Sequence, residues 1–313
     1  FYKNGTAQRI AEGAGAEAIT YFHEVAPDPS ASLAARGTQA VQSFKPDTIV
    51  ALGGGSAMDC AKAMAYFSGL APRLVAIPTT SGSGSEVTDF AILTHEDVKH
   101  PLVDDALRPQ IAILDSSLLT ALPPALIADG GYDALTHALE AYTAKNAGSI
   151  SDSLALSSFQ NAYGLLPRSF AGDQAARPGV HIAATMAGMA FTQAGLGICH
   201  AMAHSLGGQF HIPHGRLNAI LLPAVIACNA PAAGEKYAAL ARAIGLEGRA
   251  VSLGVRNLRS ALIRLRRELR LPATLTQAGI SPIQVRQKTD AIIKAAMADP
   301  CCDTNPMPVT EGM

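Results

Sequence analysis

The sequence is organised around the run CHAMAHSLGGQFHIPHG at residues 199–215. Four of the nine histidines of the chain fall within it, and apolar stretches lie on both sides. Imidazoles in an apolar neighbourhood carry a desolvation cost unless something pairs with them, and a divalent metal is one such partner. Residues four apart share a helix face, so His200 and His204 are expected to point the same way. His214 follows Pro213, which predicts that it enters from a new element.

A second run with the same spacing lies upstream, in GYDALTHALEAY at residues 131–142. Asp133 and His137 stand four apart on a predicted helix. One carboxylate with three imidazoles makes a mixed oxygen and nitrogen site, which suits iron(II) or zinc better than calcium or magnesium. The alternative is that these are satisfied histidines of the core or of a helix surface. The two paired runs together favour a metal site.

Composition limits the class of protein. A length of 313 residues is typical of about two domains, and 49% hydrophobic residues are enough for a large core. The net charge of −1, without blocks of like charge, argues against a nucleic-acid or anionic membrane partner. The five cysteines show no paired spacing, which favours reduced thiols and a cytoplasmic protein. Neither a long uninterrupted apolar run nor a signal peptide is recognised.

The first half predicts an α/β domain with a largely parallel sheet, because short apolar runs alternate with helical periodicity. Strands are predicted at 18–22, 47–52, 73–78, 90–94 and 111–115, and helices at 1–18, 31–44 and 56–67. The strand at 47–52 is continuously apolar and is therefore expected to be buried.

Two loops rich in glycine and hydroxyl groups leave predicted strands of this half. The run GGGS at residues 53–56 allows close backbone approach by a ligand, and the helix that follows offers free N–H groups. Ser56 and Asp59 also fit a capping box. A plain tight turn is the alternative. The run TTSGSGS at residues 79–85 adds a second loop that can surround a nicotinamide ribose and phosphate.

The second half predicts a helical domain. Pro123 and Pro124 mark the change, which gives an α/β domain over residues 1–121 and an all-α domain over residues 122–313. Helices are predicted at 124–128, 132–144, 151–169, 178–192, 198–206, 215–228, 234–244, 251–269 and 282–298. The basic stretch at residues 256–270 is interpreted as a solvated helix face.

Taken together, the chain resembles the iron-containing (group III) alcohol dehydrogenase family from about Pro27 to Met307. The motifs that carry the resemblance are GGGSAMDCAK at 53–62, AIPTTSGSGSEVT at 76–88, DALTHALEAY at 133–142 and GLGICHAMAHSLGGQFHIPHG at 195–215. Within the family, HSLGGQFH at residues 204–211 is most similar to the 1-propanol dehydrogenase type, which serves diol or ethanolamine breakdown. The resemblance implies fermentative interconversion of a short-chain primary alcohol and its aldehyde by hydride transfer with NAD(H).

The resemblance also implies residue roles. Its metal ligands, for Fe2+ with Zn2+ as the alternative, match Asp133, His137, His200 and His214. His204 is similarly placed to face the nicotinamide and the substrate and is a candidate for proton relay, whereas His211 has no implied role. The predicted cofactor site comprises Gly54, Gly55, Ser56, Asp59, Thr79, Thr80, Ser83 and Lys99.

Several alternatives stay open at this level. The first βαβ segment of the family, with the acidic residue that selects NAD over NADP, would precede Phe1, so a fragment or a truncated non-catalytic homologue is one alternative. A dehydroquinate-synthase-like lyase is another, although the apolar run at 186–196 lacks the cations that its substrate needs. The expected partners are a small alcohol or aldehyde, a second copy in a homodimer or larger homo-oligomer, and a bacterial microcompartment.

Overall fold

The computed structural model describes residues 1–96 and 98–312. The chain divides into two compact units. One unit comprises Phe1–Thr79 and Ser85–Leu118, and the other comprises Thr80–Gly84 and Leu119–Met313. The first is an α/β unit and the second is helical, so the predicted fold class is confirmed.

Among its described residues, the first unit contains three helices and five strands. The helices are α1 (Thr6–Gly13), α2 (Ala31–Phe44) and α3 (Gly55–Ser68). The strands are β1 (Thr48–Gly53), β2 (Arg73–Pro78), β3 (Phe90–His95), β4 (Val98–Val103) and β5 (Ile111–Ala112). Strands β1, β2 and β5 form a parallel sheet in the order β1-β2-β5, and β3 pairs with β4 as an antiparallel ribbon.

The parallel sheet explains where the two glycine-rich loops begin. Gly53 at the end of β1 pairs with Pro78 at the end of β2, and the amide of Thr79 donates to the carbonyl of Gly53 at 2.9 Å. The loops that follow both strands therefore leave side by side from the carboxyl edge of the sheet. Ligands of parallel sheets bind at that edge.

The structure of this unit differs from the sequence predictions in several places. Residues 18–22 form no strand, and both Ile19 and Tyr21 in that run are exposed. Strand β4 was not predicted, because its polar sequence shows no apolar alternation and includes Pro101. Strand β1 is buried on one face only, since helix α3 packs against it while Val50 is 45% exposed.

A buried lysine ties helix α3 to the antiparallel ribbon. Lys62 is 1% exposed, and its ammonium group donates to the carbonyl and hydroxyl oxygens of Thr88 at 3.0 and 2.9 Å and to the carbonyl of Phe90 at 2.8 Å. Burial lowers the pKa of Lys62 to about 8, against the opposing attraction of Asp59. Three oxygen acceptors satisfy all three donors of the ammonium group, so Lys62 has a structural role within this unit.

The described part of the second unit is built from eight helices. These are α4 (Pro124–Thr143), α5 (Ser149–Phe170), α6 (Arg177–Ala194), α7 (Ile198–Phe210), α8 (His214–Ala243), α9 (Val251–Glu268), α10 (Pro282–Met297) and α11 (Cys301–Thr304). Short 3-10 segments at 85–87, 105–107, 116–119 and 174–176 complete the described elements of the chain. Helix α4 is central: fifteen of its twenty residues are buried, and it packs on α5, α6 and α8.

Two pairs of predicted helices are single helices in the structure. Residues 124–128 and 132–144 form α4 without a break, and 215–228 and 234–244 form α8, which contains Pro223 and Pro231. Helix α8 is long and apolar enough to cross a membrane, but 56% of its apolar window is buried inside the fold, as expected for a core helix. The arginines of α9 are mostly exposed and its leucines are buried, so the predicted solvated face is confirmed.

Candidate metal and cofactor sites

Helices α4, α7 and α8 bring together the four predicted metal ligands. Each of Asp133, His137, His200 and His214 offers a donor atom, and these four atoms all lie within 4.8 Å of one another. The Asp133 Oδ1 atom is 3.8 Å from Nε2 of His200 and 3.6 Å from Nε2 of His214. The ring of His137 stacks on that of His200, with 4.4 Å between centroids. The arrangement is a compact cage of one carboxylate and three imidazoles.

The cage is shielded from solvent. Asp133, His137 and His200 are 7%, 5% and 1% exposed, and only His214 is half-buried. The Nδ1 atom of His137 is buried and has no hydrogen-bond partner in the part of the chain that the structure describes. Buried polar atoms are normally paired, so an unsatisfied imidazole nitrogen on a histidine of this cluster indicates a missing partner. A divalent ion fits this donor set.

The protonation states of the cage residues favour the binding of a cation. Burial alone would raise the pKa of Asp133, but His137, His214 and His200 together hold it well below its usual range. Burial lowers the pKa of His137 to about 3, so its imidazole is neutral, as a metal ligand must be. For His200 burial is outweighed by the hydrogen bond to Glu140 and by the charges of Glu140 and Asp133, which together raise its pKa to about 9. An incoming ion must therefore displace a proton from His200.

A glycine allows α8 to reach the cage. A Cβ atom at Gly215 would clash with the backbone carbonyl of Asp129 and would lie 3.0 Å from Cβ of Asp133. The first turn of α8 can therefore touch α4 only if residue 215 has no side chain. This close approach places His214, the first residue of α8, beside Asp133.

We expect Gly215→Ala to destabilise the metal-free protein by about 1–3 kcal/mol, because the added methyl group meets backbone atoms that cannot rotate away. Metal affinity should fall as well, since α8 must shift with His214. Gly164 lies inside α5 with open space around its missing side chain. Gly164→Ala is the matched control and should be neutral or slightly stabilising. Denaturant unfolding of both proteins measures the difference, and equal stability would contradict the packing argument.

His204 lies next to the cage but outside the four-donor cluster. Its Nδ1 atom is 2.8 Å from Oδ2 of Asp299, and its ring stacks on that of His214 with 5.0 Å between centroids. Burial alone would raise the pKa of Asp299, but the hydrogen bond and charge of His204, together with hydrogen bonds from Cys301, lower it to about 2. Asp299 therefore stays charged and holds the ring of His204 by Nδ1. The side chain of His204 is 15% exposed.

Two carboxylates that hydrogen-bond to the histidines were not identified from the sequence. Glu140 accepts a hydrogen bond from His200, and Asp299 accepts one from His204. Glu140 had a signal, because it follows His137 by three residues and Asp133 by seven, which places all three on one face of a helix. Asp299 had none, since it lies far along the chain from His204 in a run without periodicity. His211 is the exposed residue that ends α7 with φ 54°.

Three of the predicted cofactor residues, Gly54, Gly55 and Ser56, lie at the start of α3. Gly54 precedes the first turn with φ −82°, no side chain caps the helix, and Gly55 and Ser56 follow. The predicted capping box is wrong: the carboxylate of Asp59 accepts instead from the hydroxyl of Ser85 at 2.7 Å and from the amide of Ile92 at 3.2 Å. The amides at the helix start therefore have no side-chain partner from the capping box.

The other predicted cofactor residues fall in different places. Thr79 is buried at the end of β2. Lys99, on β4, forms an ion pair with Asp28 at 2.8 Å. Thr80 and Ser83 belong to the short segment that is part of the helical unit. In that segment Ser81 hydrogen-bonds to Nδ1 of His181 at 3.0 Å.

Comparison with known proteins places the chain in a family. Residues 1–116 match the iron-containing alcohol dehydrogenase family model, and residues 127–312 match the C-terminal domain of the same family. A 1-propanol dehydrogenase of Citrobacter freundii is 43% identical over 303 residues, covering 92% of this chain and 81% of the relative. The chain therefore belongs to the iron-containing alcohol dehydrogenase family. Its predicted likeness to the propanol dehydrogenase type is confirmed.

Two further similarities concern the cofactor. An NADPH-dependent butanol dehydrogenase of Clostridium saccharobutylicum is 40% identical over 309 residues, covering 92% of this chain and 80% of the relative. The structure of a sulfoacetaldehyde reductase of Bifidobacterium kashiwanohense in complex with NAD+ superposes with a TM-score of 0.89 at 27% identity, covering all of this chain and 86% of the other. The predicted enzyme class, which interconverts alcohols and aldehydes, is confirmed, and the lyase alternative is not favoured.

Proposed function

We propose that this protein reversibly converts a short-chain primary alcohol, such as 1-propanol, into its aldehyde by hydride transfer to NAD. The observation that carries the proposal is the buried cage of Asp133, His137, His200 and His214. Its donor set suits Fe2+, with Zn2+ as the alternative. The substrate follows from the similarity to 1-propanol and butanol dehydrogenases.

The residues of the cage and the neighbouring His204 have different proposed roles. Asp133 supplies the negative charge that holds the cation, and the three imidazoles complete the ligand set. When bound, the ion supplies Lewis acidity toward the oxygen of the alcohol or aldehyde. His204 is the proposed proton carrier, because Asp299 holds Nδ1 and leaves Nε2 to exchange a proton.

The proposed nucleotide site lies at the carboxyl edge of the parallel sheet. Gly54, Gly55 and Ser56 offer backbone amides at the start of α3, where the helix dipole favours a pyrophosphate. Thr79, Thr80 and Ser83 are proposed for the nicotinamide half, with Asp59 and Lys99 as further members of the site. NAD(H) is the proposed cofactor, and NADP(H) is the alternative that the NADPH-dependent relative supports.

Gly54→Val is expected to weaken NADH binding at least about tenfold while leaving metal content unchanged. The backbone at Gly54, with φ −82° and ψ −173°, is open to any residue, so the variant should fold. A branched side chain there would obstruct the amides of the first turn. Fluorescence titration with NADH compares the variant with the original protein, and Gly54→Ala tests a smaller obstruction. Equal affinities would show that the glycine run is only a turn.

The wider setting rests on the resemblance to the propanol dehydrogenase type. A fermentative role, a cytoplasmic location, homo-oligomerisation and association with a bacterial microcompartment are all proposals of this kind. Size measurement in solution tests the oligomeric state.

The proposed reaction has a direct test. The protein is loaded with Fe2+ without oxygen, or with Zn2+, and oxidation of NADH or NADPH is followed with propionaldehyde. We expect turnover that depends on the metal and stops with a chelator. A protein that binds one metal ion per chain but oxidises neither cofactor with propionaldehyde or butyraldehyde would contradict the proposed function.

A further inference from the structure

Glu140 is a buried carboxylate that contacts a metal ligand without belonging to the cage. It is 3% exposed and lies on α4, one turn beyond His137. Its Oε2 atom is 2.5 Å from Nδ1 of His200. It also accepts hydrogen bonds from the backbone amides of Gly197 at 3.1 Å, Cys199 at 2.8 Å and His200 at 3.4 Å.

The main-chain bonds anchor the start of α7 to α4. The first amides of a helix have no partner within the helix, and a carboxylate at that end also interacts well with the helix dipole. Glu140 satisfies several of these amides from one side. Gly197 permits the approach, since a Cβ atom there would lie 2.7 Å from Oε1 of Glu140.

The hydrogen bond between Glu140 and the ring of His200 is not needed to cap α7, and it has a separate effect. A hydrogen bond at Nδ1 of His200 fixes the rotation of the imidazole ring and leaves Nε2 toward Asp133, 3.8 Å away. Neighbouring Asn305 provides the contrast, because its Oδ1 atom accepts from the amide of Ile198 at 3.1 Å without touching His200.

We propose that Glu140 is a positioning residue of the metal centre. It links the two helices that carry most of the site: α4 carries Asp133 and His137, and α7 carries His200 and His204. Metal affinity then depends on a side chain that does not bind the ion. The inference rests on the metal site of the proposed function. Partners of this kind typically account for about 10–100-fold in metal affinity.

The experiment compares Glu140→Gln with Asn305→Ala. Zinc affinity of both variants and of the original protein is measured by competition with a chelator, and denaturant unfolding of the metal-free proteins reports their stability. We expect Glu140→Gln to bind zinc at least about tenfold more weakly, because glutamine keeps the size but loses the charge that supports His200. Asn305→Ala removes the other side-chain acceptor at the start of α7, so it should lose stability but keep its zinc affinity.

The outcomes separate this inference from the proposed function. If the original protein binds zinc tightly and Glu140→Gln binds it equally well, Glu140 is only a cap and the positioning role is overturned. The same conclusion follows if Asn305→Ala loses as much zinc affinity as Glu140→Gln. If the original protein binds no zinc at all, the proposed metal site itself fails, and the inference fails with it.

A second measurement needs no variant. In the zinc-loaded protein with 15N-labelled histidine, NMR spectra that correlate ring nitrogens with ring protons assign the tautomer of each imidazole. We expect His200 to carry its proton on Nδ1, facing Glu140, and zinc on Nε2. Zinc on Nδ1 of His200, or a proton on Nε2, would overturn the inference even if Glu140→Gln does not fold.

Discussion

His214→Ala is expected to lower metal affinity by about 10²–10³-fold and to abolish turnover at micromolar metal. Structural zinc sites with four ligands bind with about 10–16 kcal/mol, so each ligand supplies about 2.5–4 kcal/mol. His214 is the cleanest ligand to remove, because it is the most exposed of the four and begins a helix. His200→Ala should lose the metal too, but it also removes the side-chain hydrogen-bond partner of the buried carboxylate of Glu140.

The matched control is His211→Ala. His211 lies three residues before His214, is exposed, and caps the end of α7. Elemental analysis after gel filtration, together with chelator competition, measures the metal content of the three variants. Stoichiometric metal in His214→Ala, combined with loss in His211→Ala, would reverse the ligand assignment. Added metal should also raise the unfolding temperature of the original protein but not that of His214→Ala.

His204→Ala should keep its metal and still lose most of its turnover. A positioned proton carrier typically contributes about 10²–10⁴-fold to the rate. The structure gives His204 a carboxylate partner at Nδ1 and a place beside, but outside, the four-donor cage. Removing its ring should therefore spare the ligands while interrupting proton transfer to solvent.

Steady-state kinetics with metal analysis on the same sample tests this role. Millimolar imidazole should restore part of the turnover in His204→Ala, because a free base can occupy the space of the missing ring. His211→Ala serves again as the control and should show neither the defect nor the rescue. Loss of metal from His204→Ala would make His204 a ligand and exclude the proton role.

Much of the candidate site could be predicted from the sequence because its spacing is local. Asp133 and His137 fall on one face of α4, and His200 and His204 on one face of α7, simply from helical geometry. The prediction that His214 starts a new element is also confirmed, since proline restricts the preceding residue and pre-sets the first turn of a helix.

The carboxylate that hydrogen-bonds to His204 illustrates what local sequence patterns cannot provide. Asp299 meets His204 only because the chain after α10 returns to α7, and that long-range contact leaves no periodicity in the sequence. Residues 18–22 show the same limit in reverse. Their apolar and β-branched residues predict a strand, but a strand also requires a pairing partner, and none pairs with this run among the described residues.

The proline-containing helix shows how tertiary packing overrides a local signal. Pro223 and Pro231 each remove a backbone donor, which favours a break between two shorter helices. In the structure α8 continues through both, and its buried face packs on α4, α7 and α9. Burial of apolar surface along the helix thus outweighs the two missing hydrogen bonds.

The five residues Thr80–Gly84 affect how the helical unit can be expressed on its own. A Cβ atom at Gly82 would lie 2.8 Å from Gly130 of α4, and one at Gly84 would lie 2.7 Å from Gly188 of α6. These five residues therefore pack within the helical unit, although the residues before and after them belong to the α/β unit. A recombinant fragment that begins at Leu119 would lack these five residues, so the surfaces at Gly130 and Gly188 that they cover would be exposed. Expression designs for the helical unit alone should therefore supply Thr80–Gly84 as a tethered peptide.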